Sequence, residues 1–166
     1  LLSMISKMIQ PTKILEIGTY TGYSAICLSE GLQKNGQIHC IEINPELEEI
    51  IQKYVEKSGI HSNFKLHIGD AIDIIPTLKE NYDLVFIDAD KEQYLQYYQL
   101  IFNKVKKGGY IIADNVIWNG KVLLETKKTD KETEGIKNFN EFIKNDKRVE
   151  NILLPFRDGI MIIKKI

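Results

Sequence analysis

Cysteine is scarce in this 166-residue sequence, which contains only Cys27 and Cys40. Two cysteines in separate apolar runs make neither a disulfide scaffold nor a zinc site, so the sequence predicts a reducing, cytoplasmic setting. The three histidines, at positions 39, 61 and 67, lack metal-ligand spacing, and we expect structural roles for them. An excess of one charge is also missing, with 22 Lys+Arg against 23 Asp+Glu. This balance removes the simplest electrostatic argument for a nucleic-acid partner.

Long apolar runs are absent as well. The sequence has no apolar stretch of roughly 18 residues, the length that a membrane-spanning helix needs, so we expect no membrane partner. Hydrophobic residues make up 43% of the chain, which is enough to fill the core of one domain, predicted over residues 1–166. The opening segment, residues 1–9, has the pattern of an amphipathic helix and starts without Met. We therefore expect this domain to lack an N-terminal segment.

Strand-length apolar runs alternate along the chain with segments of helical period, which is typical of a parallel sheet with helices on its faces. The predicted strands cover 13–18, 37–43, 64–68, 82–87 and 110–113, followed by a terminal hairpin of 149–154 and 160–165. The predicted helices cover 23–34, 45–58, 71–78, 92–105 and 132–145, and 115–130 is one long loop. The predicted fold class is α/β, with a single doubly wound, mostly parallel sheet that ends in an antiparallel hairpin. Ligands of such sheets bind at the carboxyl ends of the strands.

The turn after the first predicted strand is rich in glycine and reads Gly-Thr-Tyr-Thr-Gly-Tyr-Ser from Gly18 to Ser24. In dinucleotide-binding enzymes the second glycine of such a turn lets the backbone approach a pyrophosphate, but Tyr20 occupies that position here. A nucleoside without a pyrophosphate, held around Gly18, Tyr20 and Ser24, fits this turn better. The alternative is an ordinary strand-to-helix turn.

Polar residues also follow the second and third predicted strands. Glu42 stands where a carboxylate accepts hydrogen bonds from ribose hydroxyls in nicotinamide, flavin and adenosyl-sulfonium sites alike. The alternative for Glu42 is a solvent-exposed residue at a strand end. Gly69, Asp70 and Ala71 can offer polar groups to an adenine edge, although Asp70 is equally well explained as a helix N-cap.

A cluster of oxygen donors follows the fourth and fifth predicted strands. Asp88 ends one strand, and Asp114 and Asn115 end its neighbour, so the three side chains are expected to converge. Carboxylate and amide oxygens suit Mg²⁺ better than Zn²⁺. Lys91 would lie beside this cation, where the positive charge would lower its pKa toward the value that a general base needs. The alternative is a solvated lysine in the first turn of a helix.

Three tyrosines, Tyr94, Tyr97 and Tyr98, follow Lys91 at helical spacing. Aromatic side chains at this spacing usually pack against a core, although they can also stack on nucleic-acid bases. We therefore predict that these three tyrosines are packing residues.

Four segments taken together, in this order and spacing, resemble the cation-dependent O-methyltransferases of the catechol and caffeoyl-CoA type, bacterial branch. They are Glu-Ile-Gly-Thr-Tyr-Thr-Gly-Tyr-Ser from residue 16, Ile-Glu-Ile-Asn-Pro-Glu from 41, Phe-Ile-Asp-Ala-Asp-Lys from 86 and Ala-Asp-Asn-Val from 113. The resemblance spans nearly the whole chain. It implies a Rossmann-like class I methyltransferase fold, S-adenosylmethionine as methyl donor, a divalent cation and, as a further expectation, a homodimer.

The resemblance also implies a set of site residues. The implied contacts to S-adenosylmethionine are Glu16, Gly18, Thr19, Tyr20, Ser24, Glu42, Ile43, Ala71 and Asp88. The implied metal ligands are Asp88, Asp114 and Asn115, and the implied catalytic base is Lys91. In the implied mechanism the metal lowers the pKa of a substrate hydroxyl, the base removes its proton, and the oxygen attacks the sulfonium methyl group.

Several functions remain open at this level. The expected acceptor is a catechol-like or caffeoyl-like small molecule, but Ile152 or an apolar neighbour stands where the catechol enzymes carry a glutamate. Asp90 likewise replaces their tryptophan. Some bacterial relatives instead modify a hydroxylated uridine in tRNA. A nicotinamide-dependent oxidoreductase is opposed by Tyr20 and by the oxygen-donor cluster, and an inactive binding module is a third alternative.

Overall fold

Seven β-strands form one sheet in the computed structural model, which describes residues 1–127 and 129–166. The strands are β1 Lys13–Ile17, β2 Gln37–Glu42, β3 Phe64–Ile68, β4 Tyr82–Ile87, β5 Val105–Asp114, β6 Val149–Leu154 and β7 Ile160–Lys165. Their order across the sheet is β3-β2-β1-β4-β5-β7-β6, with β7 antiparallel to both β5 and β6 and the other pairs parallel. The predicted fold class, including the terminal hairpin, is confirmed.

The described residues form six α-helices, of which the first precedes β1 and the other five connect strands. They are α1 Leu2–Ile9, α2 Tyr23–Ser29, α3 Glu48–Ser58, α4 Ala71–Thr77, α5 Tyr94–Phe102 and α6 Lys131–Asn145. Short 3-10 helices add Pro45–Leu47, His61–Asn63, Lys91–Gln93 and Trp118–Leu123. Within the described residues, no helix has the length and apolar character needed to cross a membrane.

The alternation of side chains along β1 produces two cores, one on each face of the sheet. Ile14 packs in a cluster with Ala25 and Leu28 of α2, against which residues of α1 also pack. Leu15 points to the opposite face and joins a larger cluster with residues of α4, α5 and α6. Burying one such side chain fully contributes about 1.5–3 kcal/mol. Many such residues are buried on each face, so the two cores together hold the sheet and its strand ends in place.

Side-chain caps fix the starts of the helices that flank the strand ends. The Asn44 side chain accepts a hydrogen bond from the Glu46 backbone N–H at 3.0 Å, and the Asp70 carboxylate accepts one from the Ile72 N–H at 2.8 Å. Gly59 closes α3 in a left-handed conformation. Each N-cap of this kind stabilises its helix by about 1 kcal/mol. These local predictions from the sequence are confirmed.

The segment around Gly108 was predicted wrongly. The predicted helix 92–105 is shorter, because α5 ends at Phe102, and β5 begins at Val105 instead of Tyr110. The glycines there belong to a strand irregularity: the β4–β5 register shifts between Tyr82 and Leu84, and Gly108 has φ 79°. The pair Gly108-Gly109 therefore allows a bulge within a strand and does not terminate a helix.

Smaller differences concern the lengths of two other predicted segments. The helix predicted over 23–34 ends at Ser29. The predicted loop 115–130 contains the 3-10 helix Trp118–Leu123, and position 128 of that loop lies outside the described residues. The three tyrosines predicted to pack are all buried in the larger core, which confirms that prediction.

Candidate active site

Two cavities open at the carboxyl ends of the parallel strands. The smaller has a volume of about 230 Å³, and its lining includes Glu42, Ile43 and Ala71. The larger has a volume of about 780 Å³, and its lining includes Asp114 and Asn115. Three residues, Gly18, Tyr20 and Asp88, line both cavities. The two cavities are therefore adjacent, and they meet where the turn after β1 touches the end of β4.

Gly18 makes that close contact possible. A Cβ atom at this position would overlap the carbonyl oxygen of Asp88 and lie 2.7 Å from its carbonyl carbon. Its φ of +90° also lies in the left-handed region that favours glycine. The glycine therefore serves the approach of two backbone segments, which brings the first turn directly against Asp88.

Glu42 holds the same turn from the side of β2. One of its carboxylate oxygens accepts hydrogen bonds from the backbone N–H groups of Thr19 at 3.2 Å and Tyr20 at 2.7 Å, and the other accepts one from Asn44 at 2.9 Å. These bonds help to stabilise Tyr20 at a φ of 51°, which is unusual for this residue type. Glu42 also lines the smaller cavity, where its carboxylate can accept a further hydrogen bond from a ligand hydroxyl.

Glu16 lies beneath the turn and lines neither cavity. Its side chain is 0% exposed, and both carboxyl oxygens lack a hydrogen-bond partner among the described residues. Burial raises the pKa of Glu16 to about 7, although the nearby Ser24, Cys40 and Thr19 side chains partly counteract this effect. The Glu16 carboxyl is therefore a buried titratable group close to the cavities.

Lys91 is buried beyond the end of β4, where it forms an ion pair with the more exposed Asp88. Its side-chain nitrogen lies 2.8 Å from Asp88 Oδ1 and 2.7 Å from the Tyr94 hydroxyl oxygen. The residue is only 7% exposed. Because the 3-10 helix Lys91–Gln93 follows Asp88 at once, both members of the pair come from one short segment. An ammonium group in this setting is oriented by its neighbours, unlike the solvated lysine that was the alternative reading.

Asp114 and Asn115 end β5 at the wall of the larger cavity. Asp114 is partly buried, and this burial, together with the charge of Asp88, raises the pKa of the Asp114 carboxyl. Asn115 adopts a left-handed φ of 61°, and its backbone N–H donates to Asp114 Oδ1 at 2.7 Å. The described residues contain no group of three or more His, Cys, Asp or Glu side chains suited to a metal ion. The cluster of Asp88, Asp114 and Asn115 contains two carboxylates, and its third oxygen donor is the amide of Asn115.

The predicted site residues fall into three groups. The cavities are lined by Gly18, Thr19, Tyr20, Ser24, Glu42, Ile43, Ala71, Asp88, Asp114 and Asn115. Lys91 lies behind them in contact with Asp88, and Glu16 lies beneath them. The structure thus brings the predicted residues to one end of the sheet.

Sequence reasoning missed one wall of the larger cavity. This wall includes Phe156, Arg157 and Asp158, which form the turn between β6 and β7. The turn is fixed to the segment after β5, because Ile117 N–H donates to the Asp158 carbonyl at 2.9 Å. The available signal was the terminal hairpin itself: a last strand paired with β5 brings its preceding turn beside Asp114.

This strand order, with its antiparallel seventh strand and a cofactor-sized cleft at the strand ends, defines the Rossmann-like class of S-adenosylmethionine-dependent methyltransferases. The O-methyltransferase family model matches residues 1–166, and the chain belongs to that family. It is an S-adenosylmethionine-dependent O-methyltransferase that is similar to catechol and caffeoyl-CoA O-methyltransferases.

Individual relatives agree with this assignment. The chain is 36% identical over 157 residues to a catechol O-methyltransferase of Niastella koreensis, covering 92% of this chain and 71% of that protein. It is 32% identical over 176 residues to caffeoyl-CoA O-methyltransferase 5 of Nicotiana tabacum, which covers 99% of this chain and 73% of that protein. The solved structure of an O-methyltransferase from Bacillus cereus in complex with SAH superposes with a TM-score of 0.95 at 29% identity, covering 99% of this chain and 79% of that one. The structure of the O-methyltransferase TomG from Streptomyces achromogenes in complex with SAM superposes with a TM-score of 0.91 at 28% identity. This match covers 99% of this chain and 77% of that one.

Proposed function

We propose that the protein transfers a methyl group from S-adenosylmethionine to a hydroxyl of a catechol-like or caffeoyl-like small molecule, with the help of a divalent cation. The observation that carries this proposal is the contact of the buried Lys91 with Asp88 at 2.8 Å, because Asp88 lines the same cavity as Asp114 and Asn115. A base, a carboxylate and two further oxygen donors thus meet at the edge of one cleft.

The chemistry of the donor set fits a hard cation such as Mg²⁺. Asp88 and Asp114 repel each other strongly enough to contribute to the raised pKa of Asp114, so a bound cation would offset an unfavourable interaction. The Asn115 side chain can add a third oxygen ligand. Two carboxylates and one amide leave coordination positions for water and for a substrate oxygen, as is usual for Mg²⁺.

The residues of this chain have separate tasks in the proposed reaction. When bound, the cation would polarise a substrate hydroxyl, and S-adenosylmethionine would supply the methyl group. Lys91 takes the hydroxyl proton onto its side-chain nitrogen, and Asp88 keeps that nitrogen in place. Glu42 and the turn at Gly18 hold the methyl donor at the cavity they share with Asp88. Holding two reactants in an attack geometry can supply about 7–11 kcal/mol of barrier reduction.

Methyl transfer to catechol and to caffeoyl-CoA, measured with and without EDTA and with added Mg²⁺, tests this proposal. We expect activity that EDTA removes and Mg²⁺ restores. Replacing the base, Lys91→Met, should lower kcat at least about 100-fold, the usual contribution of a general base. Binding of S-adenosylhomocysteine, followed by calorimetry, should persist in this variant, because Lys91 lines neither cavity.

A matched control is available at the opposite end of the sheet. Lys106 also forms an ion pair with an aspartate, Asp83, at 2.6 Å. Each of the two is the second residue of its strand, so the pair lies at the amino ends of β4 and β5, away from the candidate site. Lys106→Met should keep wild-type kcat. Full turnover in Lys91→Met would rule out the assigned base, and turnover that is unaffected by EDTA would rule out the metal.

A further inference from the structure

Tyr94 stands directly behind the proposed base, although its helical spacing suggested only packing. Its side chain is 0% exposed, and its hydroxyl oxygen lies 2.7 Å from Lys91 Nζ. The same hydroxyl lies 3.0 Å from the carbonyl oxygen of Asp114 and 3.4 Å from that of Ile87. One hydroxyl group therefore connects the lysine with the carboxyl ends of both β4 and β5.

The proton of this hydroxyl has one consistent place. Carbonyl oxygens accept hydrogen bonds only, so the Tyr94 O–H donates to the Asp114 carbonyl, the nearer of the two. Toward Lys91 the Tyr94 oxygen can then only accept. Burial raises the pKa of Tyr94 well above its ordinary value, which keeps the hydroxyl proton in place.

Two hydrogen-bond directions of the Lys91 nitrogen are taken by fixed partners. In this structure one N–H donates to Asp88 Oδ1 and another to the Tyr94 oxygen. With these two N–H directions and the bond to Cε fixed, the tetrahedral nitrogen has one direction left, which holds a proton in the ammonium form and the lone pair in the amine form. Tyr94 cannot occupy that direction, because its own proton is already donated to a carbonyl group.

We propose that Tyr94 is a positioning residue that fixes the one free direction of the Lys91 nitrogen, along which the lysine exchanges a proton with the substrate hydroxyl. This inference rests on the proposed function, since it requires Lys91 to be the base. Tyr94 lines neither cavity and acts through the lysine. The aromatic ring adds to the same effect, because Lys91 Nζ lies 4.8 Å from its centroid and is attracted to it when charged.

The change Tyr94→Phe tests this role, because it removes only the hydroxyl oxygen. We expect kcat to fall about 10- to 100-fold, as for a misplaced catalytic group. The KM for S-adenosylmethionine and the affinity for S-adenosylhomocysteine should remain at wild-type values. A kcat within twofold of wild type in a folded Tyr94→Phe protein would overturn the proposal.

Tyr98→Phe on the same helix is the matched control. Tyr98 is equally buried and also loses one hydrogen bond, that to Asp146 Oδ2 at 2.8 Å, but it lines neither cavity. This variant should show a comparable loss of stability with unchanged kcat. An equal fall of kcat in both variants would mean that the hydroxyls matter only for folding, which contradicts the proposal.

A double variant separates this inference from the proposed function. If Tyr94 acts through Lys91, Tyr94→Phe should cause no further loss of kcat in a Lys91→Met background. If Lys91→Met keeps full activity, the assigned base is wrong and both proposals fail. If Lys91→Met is impaired and Tyr94→Phe is not, only the role of Tyr94 fails.

A measurement on the wild-type protein covers the case in which Tyr94→Phe does not fold. In ¹H–¹⁵N spectra of lysine-labelled protein, Lys91 should give an observable ammonium signal, assigned by its loss in Lys91→Met. Hydrogen bonds to Asp88 and Tyr94 slow the exchange of its protons with water. Exchange as fast as that of the exposed lysines would contradict the proposed arrangement.

Discussion

At the scale of single residues, the Glu16 carboxyl is buried without a hydrogen-bond partner among the described residues. An ionised carboxylate is poorly tolerated there, which is why burial raises its pKa from 4.5 to about 7. The titratable groups that face it are Cys40 and Asp88, and the charge of Asp88 raises the pKa further. In the folded protein Glu16 therefore keeps its proton up to neutral pH, whereas in the unfolded chain it loses it near pH 4.5.

This difference makes stability depend on pH in a defined direction. Between about pH 4.5 and 7 the folded state binds one more proton than the unfolded state, so its stability falls as the pH rises. We expect Glu16→Gln, which mimics the protonated form, to be more stable than wild type by roughly 3 kcal/mol at pH 8. Below pH 4.5 the two proteins should differ little. Urea unfolding at both pH values measures this, and an equal difference at both would contradict the prediction.

Charged residues at strand ends could be predicted from the sequence. A residue that acts by positioning another side chain could not. Asp88, Asp114 and Lys91 follow apolar strands in the sequence, and parallel topology brings such ends together. Tyr94 has the same helical spacing as Tyr97 and Tyr98, and all three are buried in the same core. The Tyr94 hydroxyl became distinct only through three distances that depend on the ends of β4 and β5.

At the scale of elements, α6 supports the segment that carries Lys91, the proposed base. Gly135 of α6 packs directly on the 3-10 helix Lys91–Gln93: a Cβ atom there would overlap the Lys91 carbonyl oxygen and lie 2.7 Å from the Glu92 Cα. The glycine is in the middle of a 15-residue helix, where alanine is normally preferred by about 1 kcal/mol. The close approach of the two backbones explains why glycine stands there.

A glycine-to-alanine change inside a helix usually stabilises a protein. At position 135 we expect the opposite. We expect destabilisation of about 1–3 kcal/mol, because the added methyl group meets backbone that cannot move alone. The displacement of Lys91 should also lower kcat more than the loss of stability explains. Glu134→Ala at the neighbouring exposed position is the control, and both effects should be absent there. A more stable and fully active Gly135→Ala protein would show that α6 moves freely relative to Lys91.

The elements themselves were predictable to different degrees. Strands β1 to β4 have continuous apolar runs bounded by turn residues, so their limits were predicted within one residue. The start of β5 was predicted wrongly, since Lys106-Lys107-Gly108-Gly109 has the local composition of a helix end. Pairing with β4 decided the outcome: Val105 pairs with Tyr82, and Lys106 forms an ion pair with Asp83 at 2.6 Å.

At the scale of the whole molecule, a second buried group has the opposite pH dependence to Glu16. His39 lies on the other face of the sheet, and burial lowers its pKa from 6.5 to about 4. Its neighbours include His67 and Lys65 on β3, Lys13 on β1 and Glu80, and the carboxylate of Glu80 only partly offsets the burial. In the folded state His39 is therefore neutral at pH values where the unfolded chain carries the charge.

Between about pH 4.5 and 6.5 the two groups oppose each other. His39 alone makes the unfolded state bind one more proton, so stability would rise by about 1.4 kcal/mol per pH unit; Glu16 alone would lower it by a similar amount. We expect the wild-type free energy of unfolding to change little across this range. The variant Glu16→Gln should show a rising curve, and His39→Gln a falling one.

The double variant decides whether these two groups account for the behaviour. Glu16→Gln combined with His39→Gln should again give a nearly flat curve between pH 4.5 and 6.5, because both opposing titrations are removed and the remaining shifts, a lowered pKa of His67 and a raised pKa of Asp114, also oppose each other. His61→Gln, at an exposed histidine, should leave the wild-type curve unchanged. Urea unfolding across this pH range measures all five proteins. Curves of equal slope for the two single variants would mean that other carboxyl groups dominate the pH dependence, and the compensation between the two faces of the sheet would then be excluded.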